Sequence, residues 1–126
     1  MIFGIGTDIA GIKRMSEVHA RYGGKLAQRM LSPEEWGEYA EARDKDVFLS
    51  KRFAAKEAFS KAVGTGMRAP VMLTAISVTH DALGRPSLAF SPELAAWMRA
   101  QGMGRVHLSI SDEREYVVAY VVVENK

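Results

Sequence analysis

The sequence predicts an α+β fold, and three observations predict it. Apolar residues at helical spacing fill most of the first half, up to a long helix over 46–63. Strand-like alternation fills most of the second half, as a hairpin over 73–90 and a further pair of strands over 105–124. The chain has 126 residues, 48% hydrophobic and 25% charged, which is the size and composition of one ordinary globular domain. Helices mostly first and an antiparallel sheet mostly last give a single domain over 1–126, with helices packed on a sheet.

Each element has its own local reason. Residues 2–9 alternate, with Phe3, Ile5, Thr7 and Ile9 on one face and Ile2, Gly4, Gly6 and Asp8 on the other. The small residues beside Asp8 leave room for something to approach the backbone. Ile12, Met15, Val18, His19 and Tyr22 have helical spacing over 12–22, and Gly23-Gly24 stops that helix. A short helix over 25–30 follows. Ser32-Pro33-Glu34-Glu35 reads as a capping box with Pro33 at the first helical position, starting a helix over 33–42. In the helix over 46–63, Ala54, Ala58 and Ala62 form a smooth stripe, widened by Phe48, Ala55, Phe59 and Val63. Gly64-Thr65-Gly66 ends it. Residues 73–80 alternate as a strand, Asp81–Arg85 is a turn, and 86–90 pairs back. Ser91-Pro92-Glu93-Leu94 opens another helix, closed by Gly102. Strands over 105–111 and 116–124 finish the chain, joined by Asp112-Glu113-Arg114-Glu115.

Composition excludes several classes. There is no cysteine, so a disulfide framework, a thiolate zinc site and a cysteine nucleophile are out. No run of about 18 apolar residues exists to span a membrane. Met1-Ile2-Phe3-Gly4 has no basic start and Asp8 soon interrupts, unlike a signal peptide. A soluble, cytoplasmic protein is expected. Net charge is only +2, but it is unevenly placed. Lys13, Arg14, Arg21, Lys25 and Arg29 face one acid, Glu17, within 13–29. Lys51, Arg52, Lys56, Lys61 and Arg68 face one acid, Glu57, within 51–68. Two basic segments in a nearly neutral chain point to an anionic ligand or partner.

The chemistry-bearing candidates cluster on the long helix. Glu57 and Lys61 are four residues apart and so share a face. A plain surface ion pair would be placed the same way. However, the pair lies just before a Gly-Thr-Gly loop, on a helix that also carries Lys51, Arg52 and Lys56. Point charges, a guanidinium fork and glycine amides together suit a phosphate-rich ligand. Asp8 reads either as a cap for the helix near Ile12 or, with Glu57, as half of a Mg²⁺ site, since that ion takes one or two carboxylates plus water and phosphate oxygens. Sequence spacing does not by itself bring the two acids together. Gly4-Ile5-Gly6 lacks the third glycine of a dinucleotide fingerprint, and Gly64-Thr65-Gly66 lacks a P-loop ending. His19, His80 and His107 are dispersed, so a zinc enzyme is disfavoured, and His19 and His107 read as packed or surface residues. No basic-aromatic motif of an RNA-binding sheet is present.

These segments resemble a known family. Gly4-Ile5-Gly6-Thr7-Asp8-Ile9, the run Phe48–Ala62 (FLSKRFAAKEAFSKA), Gly64-Thr65-Gly66, Gly84-Arg85-Pro86 and Leu108-Ser109-Ile110-Ser111 are together similar to the holo-[acyl-carrier-protein] synthases, collinear over essentially the whole chain. The resemblance implies transfer of the 4′-phosphopantetheine arm of coenzyme A to a serine of apo acyl carrier protein, within fatty acid biosynthesis. It implies the phosphopantetheinyl transferase fold, Mg²⁺ dependence and a homotrimer with active sites between subunits. It assigns Asp8 and Glu57 to the metal, and Glu57 and Lys61 to catalysis. Lys61, Gly64, Thr65 and Gly66 are then expected at the phosphates, Arg52 at the 3′-phosphate, and Arg85 and Pro86 at the adenine end. Arg14 and Arg21, two turns apart, with Met15 and Val18 between them, are expected to dock the acidic carrier protein. Asp112 stands where many members have His, so any role of that His does not carry over. The competing reading is a non-catalytic anion-binding module for an acidic protein or nucleic acid. A different coenzyme A enzyme, such as an acyltransferase, is a third. A pure polyanion binder gains nothing from Asp8 and Glu57 among its cations, and an acyltransferase does not require metal carboxylates.

Overall fold

In the computed structural model, which describes residues 1–126, β1 (Ile2–Gly11) runs directly into α1 (Ile12–Tyr22). Next come α2 (Gly24–Met30), a 3₁₀ turn at Pro33–Glu35, α3 (Trp36–Glu41) and the long α4 (Lys45–Ala62). The second half holds β2 (Ile76–His80), β3 (Pro86–Phe90), α5 (Pro92–Ala100), β4 (Met103–Asp112) and β5 (Tyr116–Asn125). Strands β1, β5 and β4 form an antiparallel sheet in that order, and β2 and β3 form a separate antiparallel hairpin. The architecture is the α+β arrangement expected from the sequence.

The core lies between α4 and one face of the sheet. Val117, Ala119, Val121 and Val123 of β5 are fully buried and meet Ala54, Ala55, Ala58 and Phe59 of α4. Ile76 and Val78 of the hairpin and Leu94 of α5 close the other side. Phe59 packs against Phe90 with ring centroids 4.9 Å apart. Burying one such aliphatic or aromatic side chain contributes about 1.5–3 kcal/mol, so this layer dominates the fold's stability. A second, smaller cluster of Ala27, Met30, Leu31 and Leu49 seats α2 against α4.

The small residues of β1 serve the α4 contact. A Cβ on Gly4 would collide with the carbonyl oxygen of Ala62, and one on Gly6 with that of Ala58. What approaches the backbone there is therefore α4. The alanine stripe and the two glycines let helix and strand meet backbone to backbone, running in opposite directions.

Strands β1 and β4 run one or two residues beyond expectation at their ends, and three other boundaries differ for a local reason. Leu73–Ala75 forms a 3₁₀ turn, and the strand begins only at Ile76. The chain turns inward there, so that the Leu73 carbonyl accepts a hydrogen bond from the buried Lys56 Nζ at 3.0 Å. The helix over 33–42 is split into the 3₁₀ turn and α3, because Glu35 folds back to accept from the Ser32 N–H at 2.9 Å and then serves buried cations. α4 starts at Lys45, capped by Asp44, whose carboxylate accepts from the amides of Asp46 and Val47. Asp44→Ala is expected to cost about 1 kcal/mol in urea unfolding; no loss would mean that the cap is redundant. No helix is long and apolar enough to cross a membrane.

Candidate active site

Asp8, Glu57 and Lys61 come together at the edge of the β1–α4 contact. Asp8 follows Gly4 and Gly6 on the α4-facing side of β1, so the backbone contact carries its side chain to α4. Lys61 Nζ donates to Asp8 Oδ1 and to the Thr7 carbonyl, each at 3.1 Å. The other Asp8 oxygen, Oδ2, is buried and has no hydrogen-bond partner. A carboxylate oxygen in that position is costly unless a cation serves it. Glu57 is half-buried on α4, one turn before Lys61. Burial raises its carboxyl pKa above the ordinary value, the negative Asp8 raises it further, and Lys61 only partly offsets them. Asp8 is thus not the cap of α1. That cap is Gly11, without a side-chain bond, and the Ile12 N–H is met by the Glu115 carbonyl at 2.9 Å.

This donor set suits a hard divalent cation. It offers two carboxylates that feel each other's charge, one with an orphaned buried oxygen. No third His, Asp or Glu joins them. Mg²⁺ fits such a site because it keeps several waters and shares substrate phosphates instead of filling a protein cage.

Two cations expected at phosphate lie elsewhere. Arg52 is 4% exposed and is held by Glu35 Oε2 at 2.9 Å, the Val78 carbonyl at 2.7 Å and Glu38 at 3.2 Å. The expectation that it meets a 3′-phosphate is therefore corrected: its fork is already committed to carboxylates and a carbonyl inside the protein. Lys56, counted among the cations of this helix, is fully buried on Glu35, Met30 and Leu73.

The glycine loop is also more specific than it looked. The Gly64 amide donates to the Lys61 carbonyl and the Gly66 amide to the Ser60 carbonyl, while the Thr65 amide has no internal acceptor. Gly64 and Gly66 have φ of +83° and +64°, so their role is to turn the chain, and Thr65 offers the open amide. Arg85 and Pro86 sit at the β2–β3 turn, which Asp81 braces by accepting the Leu83 and Arg85 amides at 2.9 Å. They are not among the contacts of Asp8. Between the N-terminal half of α4 and this hairpin is a cavity of about 340 Å³, lined by Phe48, Lys51, His80 and Ile110 among others. Asp112 bonds Lys51 at 3.3 Å.

On α1, Arg14 and Arg21 are exposed and Val18 half-buried. Met15 packs against the smaller core cluster, so part of its side chain is already occupied within the chain. Val18 lines an open groove of about 590 Å³ with Tyr22, Lys25, Leu26 and Arg29. Tyr22 and Leu26 were not singled out from sequence as partner contacts; the groove exists only because α2 folds back beside α1.

Comparisons with known proteins show the family and the fold. Residues 4–121 match the model of the 4′-phosphopantetheinyl transferase superfamily. A holo-[acyl-carrier-protein] synthase of Laribacter hongkongensis is 56% identical over 124 residues, covering 98% of this chain and 99% of that protein. The crystal structure of the Neisseria meningitidis synthase superposes with a TM-score of 0.97 at 49% identity, covering 99% of this chain and 100% of that one. A Bacillus anthracis synthase in complex with CoA (3′,5′-ADP) gives a TM-score of 0.85 at 37% identity, covering 100% and 99%.

Proposed function

This chain belongs to the 4′-phosphopantetheinyl transferase superfamily, and from that premise we propose that the Asp8–Glu57–Lys61 cluster is its reaction centre. The chain transfers the 4′-phosphopantetheine arm of coenzyme A to a serine of apo acyl carrier protein, in the service of fatty acid biosynthesis. The products are holo-acyl carrier protein and adenosine 3′,5′-bisphosphate. We read residues 1–126 as one transferase domain working in the cytoplasm.

The observation that carries the site is the buried, unpartnered Asp8 Oδ2 beside Glu57 and Lys61. A module that only binds polyanions would have no use for two acids among its cations, so the enzyme reading is favoured over it. Asp8 and Glu57 are the residues that would hold Mg²⁺. When bound, that ion supplies charge to neutralise the pyrophosphate and the departing phosphate. Lys61 is half-exposed, and its ammonium is free to swing from Asp8 to the same phosphates, where it opposes the charge that builds as the bond breaks. The Thr65 amide, in the loop just beyond α4 and without an internal acceptor, is assigned to phosphate. The serine oxygen forms its bond to the phosphorus that bears the pantetheine arm, and the bond from that phosphorus to the bridging oxygen breaks. The serine proton passes to Glu57 directly or through water, because a carboxylate with a raised pKa is the basic group at hand. Arg85 and Pro86 are assigned to the adenine end.

Arg14, Arg21 and Val18, with Lys25 and Arg29 along the groove, are assigned to the acidic carrier protein. A homotrimer belongs to the same reading. It is supported by the outer face of the sheet, where Ile5, Ile9 and Tyr120 are 70%, 66% and 57% exposed.

The test is intact-mass analysis of apo acyl carrier protein incubated with this chain, coenzyme A and Mg²⁺. The expected result is a gain of one phosphopantetheine that disappears with a chelator. No gain on several apo carrier proteins, despite tight coenzyme A binding, would return the chain to the anion-binding reading. A gain that survives chelation would remove the metal from the proposal.

A further inference from the structure

We propose that His19 is a positioning residue that sets the rotation of α1, and through it the affinity for the carrier protein. The proposal rests on the reading of α1 as the docking face. None of the eleven residues of α1 is fully buried, so core packing alone defines its roll weakly. His19 makes the only side-chain hydrogen bonds that tie this helix to the rest of the chain. Its Nδ1 lies 2.7 Å from Asp46 Oδ1, in the first turn of α4, and its Nε2 lies 2.9 Å from the Tyr39 hydroxyl on α3. The imidazole is therefore held from two directions by two different helices. Tyr39 is itself fixed, edge-on to Trp36 at 5.6 Å and tilted against Phe48 at 6.0 Å.

Helical geometry gives the pin its effect. His19 lies about 150° round the helix from Arg14 and Arg21, which are seven residues apart and share a face. Fixing one side of α1 thus aims the other side, with both guanidinium groups, away from the core. The neutral ring satisfies both contacts, with Nδ1–H donating to Asp46 and Nε2 accepting from the Tyr39 hydroxyl. The protonated ring satisfies both as well, donating twice. The clamp therefore does not depend on which form the ring takes. Neither Asp8, Glu57 nor Lys61 touches His19, so the effect falls on docking and not on the reacting atoms.

The test is steady-state kinetics with apo carrier protein and coenzyme A varied in turn. His19→Ala is expected to raise the KM for carrier protein about tenfold while the KM for coenzyme A and kcat stay within about twofold. His19→Gln, which offers one donor and one acceptor, is expected to recover most of the loss. An unchanged carrier KM would overturn the proposal. So would a joint change in both KM values and kcat, which is what a merely structural residue gives. Arg14→Ala with Arg21→Ala separates the two readings. If that pair leaves the carrier KM unchanged, the docking face itself is wrong; if it raises the KM and His19→Ala does not, only the pin is wrong. Should His19→Ala fail to fold, Tyr39→Phe removes one of the two hydrogen bonds and keeps the ring packing. A rise of about threefold in the carrier KM is then expected, and no rise overturns the proposal.

Discussion

Glu57→Gln is expected to lower turnover by about 10²–10³-fold while coenzyme A binding survives and the melting temperature stays level or rises. The activity loss follows from the proposed roles of Glu57, as one of two carboxylates that would hold the metal and as the base for the serine. The stability gain follows from the sign of the pKa shift. Glu57 is held above its ordinary pKa by burial and by Asp8, so near pH 7 its charge works against the folded state. A folded-state pKa above the unfolded one means that the ionised group destabilises the fold as pH rises through that range. The neutral, isosteric amide removes that cost. A merely structural residue gives the opposite pair: lost stability and kept activity. The measurement is carrier-protein mass shift against time, with calorimetric coenzyme A binding, and thermal unfolding of the Mg²⁺-free protein. Full activity in the variant would sink the site assignment. Lost coenzyme A binding would move Glu57 from catalysis to substrate affinity.

The site was more legible in the sequence than the network that supports it. Gly4, Gly6 and Asp8 alternate on one strand face, and Glu57 and Lys61 share one helix face beside an alanine stripe. Local periodicity fixes those relations, and backbone contact between strand and helix does the rest. Arg52 and Lys56 were misread because charge on a helix ordinarily means exposure. Their burial depends on Glu35, 17 and 21 residues away, and no local pattern reports a partner at that distance. The Ser32–Glu35 box was visible, but it hid the second task of Glu35, since a capping glutamate looks the same whether or not its oxygens also serve cations. The alternation at 73–75 failed for the same reason: the backbone bends to supply a carbonyl to Lys56, and a strand pattern carries no sign of that. His19 was readable only as packed or exposed, because both of its partners come from helices later in the chain.

Glu35→Gln is expected to destabilise the protein by about 3–5 kcal/mol, a large share of the roughly 5–15 kcal/mol that a domain has. Glu35 is 1% exposed, and each of its oxygens accepts two hydrogen bonds. Oε1 takes Lys56 Nζ at 2.6 Å and the Ser32 amide at 2.9 Å; Oε2 takes Arg52 at 2.9 Å and the Val78 amide at 2.9 Å. All three donors of Lys56 are used as well, on Glu35, Met30 and Leu73. The amide would keep the shape but leave buried Lys56 with no counter-charge and Arg52 with only the half-exposed Glu38. Burial alone would raise the Glu35 pKa, but Lys56 and the amides of Val78 and Ser32 outweigh it and hold the carboxyl below its ordinary 4.5. A depressed carboxyl stabilises the fold above its unfolded pKa, and that contribution is lost as pH falls through the folded value. Wild-type stability should therefore drop as pH falls below 4.5, and the Glu35→Gln variant should lack that part of the acid dependence. Lys56→Met alone should also be costly, since it takes a cation from the buried Glu35 and the side-chain donor from the Met30 carbonyl. Glu35→Leu with Lys56→Met should cost clearly less than the sum of the two single changes, because the pair then vanishes together. Urea unfolding of five proteins, the wild type, Glu35→Gln, Glu35→Leu, Lys56→Met and the Glu35→Leu/Lys56→Met double, at two pH values measures all of this. A Glu35→Gln loss below about 0.5 kcal/mol, or simple additivity in the double variant, would show that the network is incidental to the fold. The network also joins α2, the Pro33–Glu35 turn and β2 to the helix that carries Glu57 and Lys61. Partial loosening should therefore reduce turnover before it unfolds the chain.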